Sequence, residues 1–372
     1  MASISDKRIV FFNRSSIHYR KNIYELLDRE LKVCFFFGDS RPGDIKPVDV
    51  SVLSHFKGYI HNISLGPFYW QRGVLKLLRS EYSVFLTPGD TYCLSTWLML
   101  LLARTFNKKI YLWTHGAYGN EVGLKRTLAL LRVKLSTGLF LYGNYAKDIL
   151  ERWGASPQKL HVIYNSLSYD EQIPIRSQLT PSLLFENHFN NSWCNLVFIG
   201  RLTRVKKLDQ TLKAVAILRD QNVNVNITFI GDGAIRDSLE SITKELSIED
   251  RVWFYGACYD EKAIAEFLYN ADVCVSPGNV GLTAMHAMTF GCPVISHNNF
   301  PMQMPEFEAI EEGKTGAFFI ENDVEDLARA IKNWFDSAKD RDVIRNNCYR
   351  VIDEKYNPHV QINVFKNAIL GE

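Results

Sequence analysis

The chain has 372 residues, of which 47% are hydrophobic and 23% charged, and its net charge is +2. This composition is globular and excludes a disordered or collagen-like chain, while the length is typical of two domains with separate cores. Seven scattered cysteines without a C-x-x-C pair indicate a reducing compartment rather than a disulfide framework or a zinc site.

The N-terminal half is predicted to carry strands at residues 8–12, 32–37, 83–86, 109–113, 138–142 and 160–163, alternating with helices at 18–30, 94–105, 124–135 and 145–153. Buried strands that alternate with helices at this spacing predict a parallel sheet covered by helices.

The polar stretch 166–192, with two prolines and no clear period, predicts a linker. Beyond it the same alternation predicts strands at 195–199, 225–230, 252–255, 273–275 and 294–296, and helices at 208–218, 235–245, 262–269, 282–290, 324–339 and 358–370. We therefore predict an α/β fold with two Rossmann-like, doubly wound domains that face a cleft, the expected ligand site. The predicted boundaries are an N-terminal domain at 1–165, a C-terminal domain at 193–355 and a C-terminal helix within 356–372 that packs back on the N-terminal domain.

Two loops of the C-terminal half follow strands and precede helices. The first, GRLTRVKK at 200–207, brings several cations to one strand end, where they form charge-assisted bonds with a di-anion; a basic surface loop is the alternative. The second, SPGNVGLT at 276–283, brings free N–H groups and a helix N-terminus to one place, which favours a phosphate. His286 follows in the same helix, where it is either a core residue or directed at the ligand.

Several segments of the C-terminal half resemble glycosyltransferase family 4, a set of retaining, sugar-nucleotide-dependent enzymes with the GT-B fold. They are LVFIGRLTRVKKLDQTLKAVAIL (196–218), ITFIGDGAIRDSLE (227–240), VWFYGACYDEKAIAEFLYNADVCVSPG (252–278), GLTAMHAMTFGCPVI (281–295) and EAIEEGKTGAFF (308–319). The N-terminal half is similar to the family in IHYRKNIYELL (17–27), YLWTHGAYGN (111–120) and the run at 139–166.

The resemblance implies three catalytic residues, namely Arg201 and Lys206 at the donor diphosphate and His115 near the transferred sugar. It also implies a set of donor-binding positions around the diphosphate, the sugar and the base, which we assign to Gly200, Tyr255, Gly256, Asn279, Val280, Gly281, Leu282, Thr283, His286 and Glu308. The N-terminal segment implies acceptor binding by Tyr19 and Arg20.

The sequence departs from the family at two glutamates, which would fall on Gly278 and His286. In the family the first holds sugar hydroxyls and the second holds the ribose. A histidine can still bond a hydroxyl, but Gly278 has no side chain. We expect the donor sugar to be held differently, with Glu306 and Glu308 as candidate replacements.

The expected activity is transfer of a hexose-type sugar from a nucleotide diphosphate sugar, UDP- rather than GDP-linked, to a glycan or lipid-linked oligosaccharide of a surface polysaccharide. We expect no cofactor and no metal, because the two cations can stabilise the leaving diphosphate and the only D-x-D triplet, at 340–342, lies in a charged segment. A non-catalytic nucleotide-sugar-binding subunit and a nucleotide-sugar epimerase remain as alternatives.

The N-terminal half is basic, since residues 1–190 hold 24 Lys and Arg against 15 Asp and Glu. Leucines alternate with cations at 72–79 and 124–134, a pattern found in helices that lie in a membrane interface; core packing of these leucines is the alternative. No nucleic-acid-binding motif is present. No signal peptide or membrane-spanning run is found, so we expect a cytoplasmic protein with peripheral contact to the inner face of the cell membrane.

Overall fold

The computed structural model describes residues 8–39, 47–337 and 340–371. The strands, in chain order, are β1 (Ile9–Asn13), β2 (Cys34–Gly38), β3 (Phe56–Ile60), β4 (Asn62–Leu65), β5 (Phe68–Gln71), β6 (Val84–Pro88), β7 (Lys109–Thr114), β8 (Gly138–Leu141), β9 (Leu160–Val162), β10 (Cys194–Ile199), β11 (Val225–Ile230), β12 (Val252–Gly256), β13 (Val273–Ser276), β14 (Val294–His297) and β15 (Gly316–Phe319). The helices are α1 (Lys21–Leu31), α2 (Leu94–Leu102), α3 (Leu124–Leu135), α4 (Asn144–Arg152), α5 (Tyr169–Arg176), α6 (Leu184–Phe189), α7 (Asp209–Asp220), α8 (Arg236–Glu245), α9 (Glu261–Asn270), α10 (Leu282–Thr289), α11 (Val324–Asp336), α12 (Arg341–Glu354) and α13 (Pro358–Leu370).

The chain forms two compact units, Met1–Ser168 with Tyr356–Glu372, and Tyr169–Lys355. The first contains a seven-stranded sheet in the order β3-β2-β1-β6-β7-β8-β9, and the pairs in it are parallel. Its central strands are buried on both faces, as a parallel sheet between helices requires. Helix α13 packs on α1 in this unit, where Lys366 pairs with Glu30 and the Tyr111 hydroxyl donates to the carbonyl oxygen of Ala368 at 2.8 Å.

The second unit contains a six-stranded parallel sheet in the order β12-β11-β10-β13-β14-β15. The prediction of an α/β fold built from parallel sheets is therefore confirmed. Neighbours β10 and β13 are not consecutive in the chain, so the strand order reverses between them. In open α/β sheets, ligands bind at the carboxyl ends of strands at such a reversal.

Several elements differ from the sequence-based expectation. Strands β3, β4, β5 and β15 and helix α12 were not predicted. Helix α12 is polar in composition, but it buries Ile344, Cys348, Val351 and Ile352 along one face. Asp340 of the D-x-D triplet caps α12 by accepting from the N–H groups of Asp342 and Val343. Helix α11 ends at Asp336, and its predicted end at residue 339 lies outside the described residues.

The stretch 166–192, predicted as a linker, contains helices α5 and α6. Phe185 of α6 is buried and makes an edge contact with Phe267 of α9, with ring centroids 5.9 Å apart. Gln172 of α5 is also buried. In the described ranges, no helix has both the length and the apolar composition needed to cross a bilayer.

Candidate functional site

The candidate donor site lies where the loops after β10 and β13 meet. Gly200 directly follows β10, and its N–H donates to the carbonyl oxygen of Ile230 at 3.0 Å. Helix α10 begins after Gly281, which has a φ of +54°, a conformation that favours glycine. The hydroxyl of Thr283 donates to the carbonyl oxygen of Ile199 at 2.9 Å and so ties the first turn of α10 to the end of β10.

Lys206 joins the two loops. Its Nζ donates to the carbonyl oxygens of Asn279 at 2.7 Å and Val280 at 3.2 Å, immediately before α10. Burial lowers the pKa of the Lys206 ammonium to about 8, although the nearby carboxylate of Glu306 acts in the opposite direction. The structure therefore holds a largely buried amine beside the N-terminus of a helix whose dipole attracts anions.

Arg201 is the second cation of this site. Its side chain is exposed, and its charge acts on Lys206 to lower the pKa of that ammonium, which shows that the two lie near each other. Within the described part of the chain no hydrogen bond or ion pair engages the Arg201 guanidinium. By contrast, Lys207 of the same loop is paired with Glu321 at 2.5 Å and bonded to Asn322 at 2.8 Å. Arg201 is thus available for a ligand, whereas Lys207 has a structural partner.

The loop after β13 is held by Gln303. The Gln303 side-chain oxygen accepts from the N–H of Val280 at 2.9 Å, and its amide nitrogen donates to the hydroxyl of Ser296 at 2.8 Å. The Val280 N–H is therefore already satisfied, while the carbonyl oxygens of Asn279 and Val280 face Lys206. Gln303 was not among the residues selected from the sequence, and a lone glutamine in a loop carries no signal that would have found it.

Gly278 packs directly against the Lys206 loop. A Cβ atom at this position would lie 2.0 Å from the carbonyl oxygen of Val205 and 2.8 Å from the main chain of Lys206. Position 278 therefore lacks a side chain, as the sequence shows, and main-chain atoms of the Lys206 loop fill the space that a side chain would need.

His286 projects from α10 toward α9. Its Nε2 is hydrogen-bonded to Oε1 of Glu261 at 2.8 Å, and the same carboxylate oxygen accepts from the side-chain amide of Gln172 at 2.7 Å. Burial alone would raise the pKa of Glu261, but the bonds from His286 and Gln172 leave that pKa below its ordinary value. Glu261 is therefore a carboxylate held in place by two partners, and sequence reasoning did not select it.

Three more donor-binding candidates lie around this site. Tyr255 is exposed at the end of β12 and packs edge-on against Phe267, with ring centroids 4.7 Å apart. Gly256 follows it, and its carbonyl oxygen accepts from Gly231 at 2.8 Å. Glu308 is half-buried in the same short 3₁₀ helix as Glu306, but it is Glu306 that is fully buried and acts on Lys206.

The first unit contains a separate cluster of candidate residues. His115 follows β7 and lies with its ring centroid 4.8 Å from that of Tyr142, whose hydroxyl is bonded to Arg20. Nδ1 of His115 is buried and has no hydrogen-bond partner among the described residues. Burial and the charge of Arg20 lower the pKa of His115 to about 4, so the ring is neutral at pH 7. The guanidinium of Arg20 also lies 5.9 Å from the ring of Tyr19, which places both acceptor-binding candidates in this cluster.

The match to a known protein family falls within the second unit. Residues 185–351 match the family model of glycosyl transferases group 1. The second unit is therefore similar to the glycosyl transferases of group 1. The chain is 28% identical over 191 residues to a putative glycosyltransferase, EpsD, of Bacillus subtilis, a match of 50% of this chain and 47% of that protein. It is 27% identical over 241 residues to an uncharacterized protein in the cps region of Klebsiella pneumoniae, a match of 64% of this chain and 57% of that one.

Solved glycosyltransferase structures share the fold over the whole chain. The lipopolysaccharide outer core galactosyltransferase WaaB superposes with a TM-score of 0.72 at 17% identity, covering 98% of this chain and 99% of that one. HepE of Anabaena in complex with UDP gives 0.70 at 15% identity, covering 97% and 99%. The prediction of the GT-B fold is confirmed. The chain spans about half the length of the curated relatives that it matches.

Proposed function

We propose that this chain is a retaining glycosyltransferase of family 4 that moves a hexose-type sugar from a UDP-sugar to a glycan or lipid-linked oligosaccharide. The observation that carries the proposal is the position of Lys206, whose buried ammonium lies against the carbonyl groups before α10, with the exposed cation of Arg201 nearby. Transfer from a nucleotide sugar leaves a diphosphate, and cations and a helix N-terminus are what stabilise that leaving group.

The chemistry follows from these residues. As the anomeric C–O bond breaks, Arg201 and Lys206 neutralise the charge that develops on the diphosphate, so that the scheme needs no metal ion. The leaving phosphate deprotonates the acceptor hydroxyl on the same face of the sugar, which retains the anomeric configuration. We propose His115, neutral at pH 7, as the third catalytic residue because it can accept a hydrogen bond from a sugar hydroxyl.

UDP is the proposed nucleotide. The structures that share this fold include complexes with UDP and with UDP-glucose, whereas a relative from Mycobacterium tuberculosis, 34% identical over 103 residues, is named as GDP-mannose-dependent. The exposed ring of Tyr255 at the end of β12 is available for stacking on a base of either kind.

A surface polysaccharide is the proposed product, made at the inner face of the cell membrane. Support comes from the Klebsiella relative in the cps region and from the similarity to a lipopolysaccharide galactosyltransferase. Helix α3 supports membrane contact, because it buries only Ala129 and Val133 while Leu124 is exposed beside Lys125 and Arg126.

A non-catalytic nucleotide-sugar-binding subunit is the second candidate. It is favoured by Gly278, because main chain occupies the space that a side chain would need at the position where the family carries a glutamate. The two candidates differ in turnover but not in nucleotide binding.

The test is a thermal-shift panel of UDP, GDP, ADP, CMP and dTDP on the wild-type chain and on Arg201→Ala, followed by an assay of nucleotide release from the matching sugar nucleotides. A nucleotide at 100 times its Kd stabilises the fold by ~2.7 kcal/mol. We expect UDP to shift the wild type and not the variant, and a UDP-sugar to turn over. No shift with any nucleotide would refute the donor site, and binding without turnover in the presence of glycan acceptors would select the non-catalytic candidate.

A further inference from the structure

The two-stranded ribbon β4–β5 turns its apolar face to the solvent and its more polar face to the protein. Its strands pair in antiparallel register, with Ile63 opposite Trp70 and Leu65 opposite Phe68. Because side chains alternate between the two faces of a strand, these four apolar side chains share one face of the ribbon. The other face carries Asn62, Ser64, Tyr69 and Gln71.

The polar face is the one that packs on the protein. Gln71 is buried, and its N–H donates to the hydroxyl of Ser95 on α2 at 3.1 Å. Tyr69 is buried as well; its N–H donates to the carbonyl oxygen of Tyr92 at 3.0 Å, and the guanidinium of Arg14 lies 4.7 Å from its ring. Hydrogen bonds therefore fix the ribbon in this orientation, and the apolar face has to point outward.

The apolar face is open to solvent. Ile63, Leu65 and Phe68 are 37%, 48% and 40% exposed. Tyr92 continues this face, since its ring lies 6.0 Å from that of Phe68 and is itself exposed. An exposed apolar patch on a ribbon that buries Tyr69 and Gln71 of its other face is a feature of surfaces that bind a partner.

The charge of the chain segment that contains the ribbon indicates that the partner is anionic. Residues 51–80 contain no Asp or Glu, but they contain Lys57, Arg72, Lys76 and Arg79, each of which is exposed. The N–H of Arg72 donates to the carbonyl oxygen of His61 at 2.9 Å, which continues the ladder by one residue and puts Arg72 on the outer face by position. Two carboxylates close to the ribbon already have hydrogen-bond partners. Asp39 is bonded to the ring of His61 at 2.5 Å, and Asp90 accepts from the N–H of Tyr92 at 2.9 Å.

We propose that the outer face of β4–β5 docks on an anionic lipid bilayer. Leucine, isoleucine and aromatic side chains at the tip enter the interfacial region, and the surrounding cations face lipid headgroups. This inference deepens the membrane location in the proposed function by naming the surface, and it involves none of the donor-site residues. A chain that binds no nucleotide but still binds vesicles through this face would refute the proposed function alone.

The experiment measures binding of the full chain to vesicles by co-sedimentation, with phosphatidylcholine alone and with about 30 mol% phosphatidylglycerol. We expect binding to the anionic vesicles only, weakened by salt. Leu65→Ser/Phe68→Ser should reduce the partition coefficient at least about tenfold, since each side chain loses its transfer from water. The matched control is Leu183→Ser/Val343→Ser in the second unit, where the two side chains are 60% and 56% exposed, and it should bind as the wild type does.

A second measurement locates the contact. Lipids with brominated chains should quench the fluorescence of Trp70, so the quenching should be smaller in Trp70→Phe than in the wild type. Equal binding to both vesicle types, unchanged binding in Leu65→Ser/Phe68→Ser, or equal quenching in Trp70→Phe would each overturn the proposal. So would a dimer seen by light scattering that the Leu65→Ser/Phe68→Ser variant abolishes, because a second copy of the chain would then cover this face.

Discussion

The N–H of Gly278 donates to the carbonyl oxygen of Lys206 at 3.0 Å, so the loops after β13 and β10 are in direct main-chain contact. The same contact positions the Lys206 side chain, which reaches back to the carbonyl oxygens of Asn279 and Val280. A glycine at 278 and a lysine at 206 therefore act as one structural unit. This explains how the Lys206 ammonium is kept in place without a side chain at 278.

Restoring a glutamate at position 278 should therefore harm the protein. The Cβ of Gly278→Glu would lie 2.0 Å from the carbonyl oxygen of Val205, and relieving that clash has to move the Lys206 loop. We expect the free energy of unfolding, measured in urea, to fall by about 2 kcal/mol or more, with weaker nucleotide binding. Gly138→Ala is the control, because its closest contact would be 3.1 Å and it lies in the first unit. Unchanged stability with tighter donor binding would contradict this interpretation.

Arg201→Ala and Lys206→Ala should each lower kcat by at least ~100-fold, about the effect of removing one group that stabilises developing charge. The control is Lys213→Ala, which removes an exposed cation of α7 whose partner is Asp209. Release of nucleotide from the matching sugar nucleotide measures the rate. If both variants turned over at nearly the wild-type rate, the diphosphate would have to bind elsewhere.

The affinity for nucleotide should fall as the pH rises through about 8, because the Lys206 ammonium then loses its proton. The fall approaches about tenfold per pH unit above that value. The stability of the free protein should change in the opposite direction. The unfolded lysine keeps its proton up to its ordinary pKa of 10.5, whereas the folded one loses it at about 8. Between pH 8 and 10.5 the contribution of Lys206 to the free energy of unfolding therefore rises with pH.

Calorimetric titration with UDP from pH 7 to 9.5 measures this dependence. Lys206→Ala should bind weakly and show no such slope. An equal slope in Lys206→Ala would assign the pH dependence to another group.

His286→Ala should raise the KM for the donor more than it lowers kcat, since we expect His286 to bind the nucleotide rather than take part in the chemistry. The bond to Glu261 extends this prediction to Glu261→Gln, which weakens the same pair and should change KM in the same direction. Glu266→Gln is the matched control on α9, where the carboxylate accepts from the hydroxyl of Ser182 at 2.8 Å. A fall in kcat with KM unchanged would instead give His286 a role in the transfer step.

Much of the fold could be predicted from the sequence, because the strands of parallel sheets are continuous apolar runs and the helices between them have an amphipathic period. The bounds of β11, α3 and α13 agree with prediction to the residue. Strands β3 to β5 were not predicted because most of their side chains are exposed or only half-buried, so they lack the continuous apolar run of the central strands. Helix α12 was not predicted because its buried face is narrow within a polar sequence. Which side chains are buried in these strands and in α12 depends on the elements that pack against them, and the amino-acid composition does not show that packing.

The sequence by itself determined the alternation of strands and helices and the presence of cations and glycines after two strands, since these depend on residues close together in the chain. Only the tertiary structure decided which of those residues meet. It brought Lys206 to Asn279 and His286 to Glu261, filled the space at Gly278 with main chain, and left Arg201 exposed while Lys207 found a partner in Glu321. It also turned the apolar face of β4–β5 outward. The reason is physical: burial, close packing and hydrogen bonding join residues tens of positions apart, and the free energies that select among them arise only when the chain is folded.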